Sequence, residues 1–263
     1  ITEGEWRAEI EASIDAAVKG DMTEESNPTH LTREQAERMH FYYLPVSERV
    51  RRMCWNQGDW RFYYYYRMWQ KRALSLAREI MNEVDVDIVH QLNMIGFREP
   101  GMLWKIDDKP FVWGPVGGLE LVPPRYIKDE KLKMRVAVRA KNIINRFQRR
   151  FLPRFIKAVK RADVLACATK GVCEYIEKTF DIKAFLINET GSEVKNIEHA
   201  KLSKNTLDIM WVGKFDFRKQ LSVALHTMAL LKDCPEIKLH VYGTANEHNV
   251  SVCRQLACDL GVE

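Results

Sequence analysis

No stretch of this chain approaches the roughly 18 uninterrupted apolar residues of a membrane-spanning helix. No basic N-terminal segment runs into an apolar stretch and a small-residue cleavage site, so export is not expected and a cytoplasmic setting is. The six cysteines form no C-x-x-C pair and no cluster with histidine at zinc-ligand spacing, which argues against a structural metal. Cys167, Cys253 and Cys258 sit among apolar or helical neighbours, where a thiol behaves as a small hydrophobe, so reduced thiols are expected. The dinucleotide fingerprint G-x-G-x-x-G is missing. Acid is scarce in one place above all. Between Arg125 and Arg161 stand fourteen Lys or Arg against only Asp129 and Glu130, a local charge of +12. The whole chain carries +5, so the remainder is mildly acidic and one segment concentrates the field.

What the chain does have is alternation. After an amphipathic helix over Glu5 to Lys19 and a polar loop over Gly20 to Arg33, His40 to Val46 reads as a short strand ended by proline. Arg61 to Glu83 reads as a long helix rich in Tyr, Leu, Ala and Arg. "VDIVHQL" then gives an apolar strand and "REPGMLWKI" a short helix. "PFVWGPVGG" is a strand ending in a glycine-rich turn. Basic helices follow, then strand "DVLACAT", helix "GVCEYIEKTF" and strand "KAFLIN". A polar linker precedes "LDIMWVG", helix "LSVALHTMALLK", strand "IKLHVYG" and a last helix. Near-continuous apolar strands alternating with helices imply an α/β protein with parallel sheet covered on both faces. Ligands in such sheets bind outside the carboxyl ends of the strands, which directs attention to His90, Gly114 to Gly118, Thr169 and Gly213 to Lys219.

Three segments carry candidate chemistry. In "WVGKFDFRKQL", Gly213 lets the backbone turn, and Lys214, Arg218 and Lys219 precede a helix start, where cations and free N–H groups can receive phosphate oxygens. A solvated basic turn is the alternative. In "PFVWGPVGGLELVPP", Gly114, Gly117 and Gly118 permit a close approach by a ligand, or serve a tight structural turn. In "DIVHQLNMIGFREPG", His90 is a candidate acid or base at the active edge, and Arg98 and Glu99 lie beyond it.

Together these segments, in order and spacing, resemble the family-four retaining glycosyltransferases, and within them the bacterial subset with a W-G-P-V-G-G loop. The resemblance covers roughly Trp60 to Glu263. It implies two Rossmann-like domains (the GT-B fold). Residues 1–192 would form an acceptor-side domain lacking its opening strand, and 193–263 the start of a truncated nucleotide-sugar-binding domain. Both chain ends read as cut from a longer polypeptide. The implied activity is transfer of a sugar from a nucleotide-diphosphate donor to a glycan or lipid-linked acceptor with retention of configuration. No cofactor or bound metal is implied, because protein cations and helix dipoles stabilise the leaving diphosphate. The resemblance sets Lys214 at the family's diphosphate-binding Arg, Lys219 at its Lys, and Gln220 where the family has Gly. It also sets Gly114 where many relatives have a catalytic histidine, leaving His90 on the neighbouring strand as the catalytic candidate. The family's paired-glutamate motif would fall beyond Glu263.

Two stretches keep alternatives open. From Leu132 onward, apolar residues recur at helical spacing through Val136, Ile143, Phe147, Phe151, Phe155 and Val159, with cations on the other faces and Pro153 breaking or kinking the run. Residues 125–161 therefore suit peripheral docking on an anionic membrane surface at its inner face, or a core-packed helix pair with a solvated cationic side. Of Tyr63 to Tyr66, some must line a surface or cleft and cannot all be buried. A basic nucleic-acid-binding α/β module and an inactive transferase-like assembly protein are the rival functions; the glycine-rich strand ends favour the enzyme, with no nucleic acid expected as partner.

Overall fold

The computed structural model describes residues 1–21, 23, 31–56, 59–92, 94–128, 132–191, 206–215, 219–244 and 247–263. The protein is mixed α/β, with nine α-helices and two parallel sheets among the described residues. It divides into two units, Ile1–Leu121 with Ile143–Thr190, and Val122–Asn142 with Gly191–Glu263.

The first unit opens with α1 (Arg7–Val18), α2 (Arg33–Glu37) and α3 (Glu48–Cys54). Thr32 and Gln35 form a reciprocal capping box on α2, and Ser47 caps α3. The strand expected over His40 to Val46 is reduced to a single bridge between Tyr43 and Thr2. Helix α4 (Trp60–Glu83) is capped by the Asp59 side chain and buries Phe62, Tyr66, Gln70 and Ala73 along one stripe. Of the four consecutive tyrosines only Tyr66 is buried.

The sheet follows. β1 (Val89–Gln91), β2 (Phe111–Val116), β3 (Val164–Cys167) and β4 (Phe185–Leu186) lie in sequential order, all parallel. The helix expected between β1 and β2 is only a 3₁₀ turn at Leu103–Lys105, since Pro100 lacks an N–H and Gly101 takes φ +67°. Between β2 and β3 run α5 (Leu132–Phe151) and α6 (Pro153–Arg161), so the proline ends one helix and starts the next at its favoured first position. Helix α7 (Lys170–Phe180), capped by Thr169, joins β3 to β4.

The core sits where α6 and α7 cover β2 and β3. Phe155 packs edge to face against Phe97, Trp113 and Phe180, with ring centroids 5.1, 6.0 and 5.7 Å away. Ala158, Val159, Leu165, Val172 and Ile176 complete it, all essentially solvent-free. Burying each large side chain contributes about 1.5–3 kcal/mol.

The second unit holds β5 (Leu207–Val212) and β6 (Ile237–Tyr242), parallel and in register over six residue pairs. Helix α8 (Leu221–Leu230) connects them and α9 (Glu247–Leu260) follows. The linker expected from Glu189 onward lies largely outside the described residues. Among those described, no helix is long and apolar enough to cross a membrane.

Candidate functional site

In the first unit the carboxyl ends of the strands gather several of the expected residues. His90 sits at the middle of the three-residue β1, one position short of the strand end expected for it. Its Nε2 lies 3.0 Å from the Gly114 carbonyl oxygen on β2. A carbonyl can only accept, so Nε2 carries the proton and Nδ1 is the basic nitrogen of the neutral ring. Beside His90 is a cavity of about 430 Å³ lined by Trp55, Tyr66 and Trp69 together with Glu3, Gln70 and Gln91. The Tyr66 and Trp69 rings stack at 6.1 Å with an 18° interplanar angle. Burial pushes the Tyr66 phenol up to about 12, against a weaker opposing hydrogen bond from Gln70.

The glycines of the turn after β2 have separate reasons to be glycine. A Cβ on Gly114, at φ +132°, would fall 2.3 Å from the Ala166 carbonyl oxygen on β3. A Cβ on Gly117 would fall 2.9 Å from Ile95, to whose carbonyl the Gly117 N–H donates at 2.8 Å. Gly118 is exposed, at φ +79°. Gly114 is therefore held by close backbone packing and Gly117 by the Ile95 side chain, and Gly118 alone faces solvent in a conformation that favours glycine.

Arg98 and Glu99 are engaged within the first unit. Arg98 donates from Nε to Gln148 at 2.5 Å and from Nη2 to Asn145, with its guanidinium over the Phe97 ring. Burial lowers its pKa, which the charges of Tyr63 and Glu99 only partly offset. Glu99 is buried at 4% exposure, and its carboxylate lies 2.7 Å from Arg67 and 2.9 Å from Arg154. Arg154 also donates to the Arg98 carbonyl at 2.6 Å. This group clamps α4, the turn before β2 and α6 together.

Two carboxylates not singled out by sequence join the same edge. Glu120 accepts from the Thr169 hydroxyl and lies against Gly171, at the positive end of α7. Glu189, just past β4, has an oxygen 4.0 Å from where a Cβ on Gly117 would stand. Both follow the carboxyl end of a parallel strand, a positional signal that sequence offered and residue type alone did not.

In the second unit, Gly213 ends β5, with its N–H donating to Tyr242 at 3.0 Å. The Trp211 indole lies against Gly213 and donates to the Lys219 carbonyl at 3.3 Å. Trp211 meets Phe215 edge to face at 5.7 Å, and Asn249 of α9 donates to the Phe215 carbonyl at 2.8 Å. Lys214 and Lys219 are both exposed, and neither makes an ion pair among the described residues. Arg218 lies outside the described residues. Gln220 opens α8 at φ +53°, and its side chain makes no cap hydrogen bond to the helix start. The N–H groups of that first turn thus receive no acceptor from the N-cap side chain. A larger cavity, about 730 Å³, lies between α8, α9 and β6 and is lined chiefly by apolar side chains such as Leu225, Met228, Leu239 and Val250. Neither Lys214 nor Lys219 lines it, so it is distinct in chemistry from the loop after β5.

No group of three or more His, Cys, Asp or Glu is placed to hold a metal ion among the described residues. No model of a known protein family matches this chain, and no curated protein matches it either.

Proposed function

We propose that this protein transfers a glycosyl group from a nucleotide-diphosphate sugar to a glycan or lipid-linked acceptor, with the donor diphosphate received by the loop between β5 and α8. On this reading the two units are Rossmann-like domains of a GT-B enzyme, and the acceptor side is the edge that carries His90.

One observation carries the reading. The start of α8 is uncapped by its own N-cap side chain and is preceded by two exposed ammonium groups without ion-pair partners among the described residues. A positive helix end beside exposed cations is a receptor for phosphate oxygens. When the bond from the anomeric carbon to the diphosphate breaks, negative charge grows on the leaving group while the sugar gains oxocarbenium character. Fixed cations aimed at that growing charge stabilise the transition state more than the bound substrate. Lys214 and Lys219 are the groups of this chain suited to that role. His90, held through Nε2 by the Gly114 carbonyl, presents Nδ1 as the available base.

The test is Lys219→Ala in the full-length protein, read as release of nucleotide diphosphate from UDP- and GDP-hexoses. Turnover falls by about two to three orders of magnitude, the size of effect seen when a preorganised donor to a developing anion is lost. Turnover unaffected by that change sinks the assignment.

A further inference from the structure

Helix α5 is built inside out. Apart from the buried Val138, its protein-facing side is polar: Asn142 donates to the Val122 carbonyl at 2.9 Å and accepts from its N–H at 3.2 Å. One and two turns further on, Asn145 and Gln148 accept from Arg98, and Arg149 donates to the Leu119 carbonyl at 3.1 Å. Tyr175 of α7 closes the last turn by donating to the Arg149 carbonyl at 3.1 Å, with the Arg149 guanidinium over its ring. The opposite side is apolar and faces out. Val136, Ile143, Phe147 and Phe151 recur at spacings of seven, four and four, which places them on one stripe. Ile143 is 67% exposed, Phe147 66% and Phe151 58%. The two phenylalanine rings touch each other at 4.9 Å. Cations border the stripe: Arg139, Arg146 and Arg150 recur at spacings of seven and four along one flank. None of the three has an ion-pair partner among the described residues, and no acid occurs from Leu132 through Ala162. By contrast α6 turns Phe155, Ala158 and Val159 into the core, so the apolar repeat read through both helices splits at Pro153.

We propose that α5 docks this protein on an anionic membrane surface, with Ile143, Phe147 and Phe151 entering the boundary between headgroups and acyl chains and Arg139, Arg146 and Arg150 lying at headgroup level. Charge complementarity selects this occupant. A second copy seated on the same ridge would set cations against cations. A nucleic acid would engage the cations and leave the phenylalanines in water. Only a surface that is negative outside and apolar within matches both features at once. The docking stands on α5 alone and does not depend on the transfer reading.

The experiment is flotation of the full chain with vesicles of phosphatidylcholine, with and without phosphatidylglycerol, at low and near-physiological salt. The protein floats with the mixed vesicles and stays behind with pure phosphatidylcholine. Soluble glycerol 3-phosphate does not compete, which separates a lipid surface from a free phosphate. Arg139→Gln, Arg146→Gln and Arg150→Gln together weaken binding by about a hundredfold, at roughly fivefold per charge. Ile143→Ser with Phe147→Ser leaves every charge in place and still abolishes flotation. Both variants keep the wild-type circular dichroism and denaturation midpoint, because the altered side chains are solvent-facing. Failure of the wild type to float overturns the proposal. So does flotation that survives the Ile143→Ser, Phe147→Ser change, salt-sensitive RNA binding in place of vesicle binding, or a dimer in sedimentation velocity that those serines dissolve while vesicles go unbound.

Discussion

Gly243 lies so close beneath Gly213 that a Cβ built on it would fall 1.8 Å from the Gly213 carbonyl oxygen. The two glycines end the paired strands β6 and β5, and hydrogen bonds from Gly213 to Tyr242 and from Phe215 to Thr244 hold the two turns together. The obstacle to a side chain here is backbone, which cannot rotate away as a flexible side chain could. Gly243→Ala must therefore displace Gly213, and with it Lys214 next in the chain. The substitution costs about 2 kcal/mol or more by chemical denaturation. Gly191→Ala, with nothing among the described residues within 4 Å of its added carbon, is the control and changes stability by less than about 0.5 kcal/mol. Equal behaviour of the two variants would show that the turn after β5 is not set by this close approach.

The Glu99 carboxylate is nearly solvent-free and held by two guanidiniums from α4 and α6. Removing it leaves Arg67 and Arg154 facing each other with nothing between them, at side-chain exposures of 42% and 31%. Glu99→Ala destabilises by about 3 kcal/mol, at the low end for a broken buried pair because both arginines reach water. Glu99→Gln, which keeps an oxygen acceptor, loses less. Urea denaturation of the two variants gives the order, and a Glu99→Ala protein as stable as wild type would show the clamp to be idle.

Much of the first sheet was legible in the sequence because its strands are buried on both faces and read as continuous apolar runs, as in "PFVWGPV" and "DVLACAT". Helices α2 and α3 were not read, being too short for a periodicity signal. Their caps were visible all the same, as Thr32 three residues before Gln35 and as Ser47 before Glu48. The direction of α5 was beyond reach for a different reason. Its apolar and polar residues both recur at helical spacing, so either stripe could face inward. The choice is made by Arg98, which lies 47 and 50 residues before its partners Asn145 and Gln148. Likewise Glu99 looked available as a cleft residue only because Arg67 and Arg154 are distant in sequence. Contacts of that separation leave no trace in local pattern.

Asp163 offers a pH-dependent handle on the seam between α6 and β3. Its carboxylate accepts from the Phe111 backbone N–H at 2.7 Å and from Arg161 at 2.8 Å, and these bonds, the backbone one foremost, hold its pKa below the ordinary aspartate value. A depressed folded-state pKa adds stability that is fully present above the unfolded value of about 3.9 and is lost as pH falls toward the folded one. Asp163→Asn should accordingly lie below wild type in Tm near neutral pH, with the gap closing below about pH 4. Thermal melts across that range decide it. A gap of constant size would assign the loss to geometry instead of charge.

Gln220 is a non-glycine residue at φ +53° and ψ +40°, directly before the first turn of α8. A left-handed conformation costs an L-residue about 1–2 kcal/mol, and glycine escapes that cost. Two effects oppose a change to glycine. The unfolded chain gains backbone freedom, which takes back about 0.5–1 kcal/mol. The side-chain contacts of Gln220, among them the bond from Nε2 to the Tyr126 carbonyl at 3.4 Å, are also lost. Gln220→Ala loses the same contacts and keeps the left-handed backbone, so Gln220→Gly is the more stable of the two by about 0.5 kcal/mol, measurable as a difference in denaturation midpoint. The same change leaves the positive end of α8 and both lysines in place, so affinity for UDP or GDP, followed through the fluorescence of the adjacent Trp211, holds or improves. A Gln220→Gly protein no more stable than Gln220→Ala would mean that the left-handed backbone at this position carries no strain for glycine to relieve.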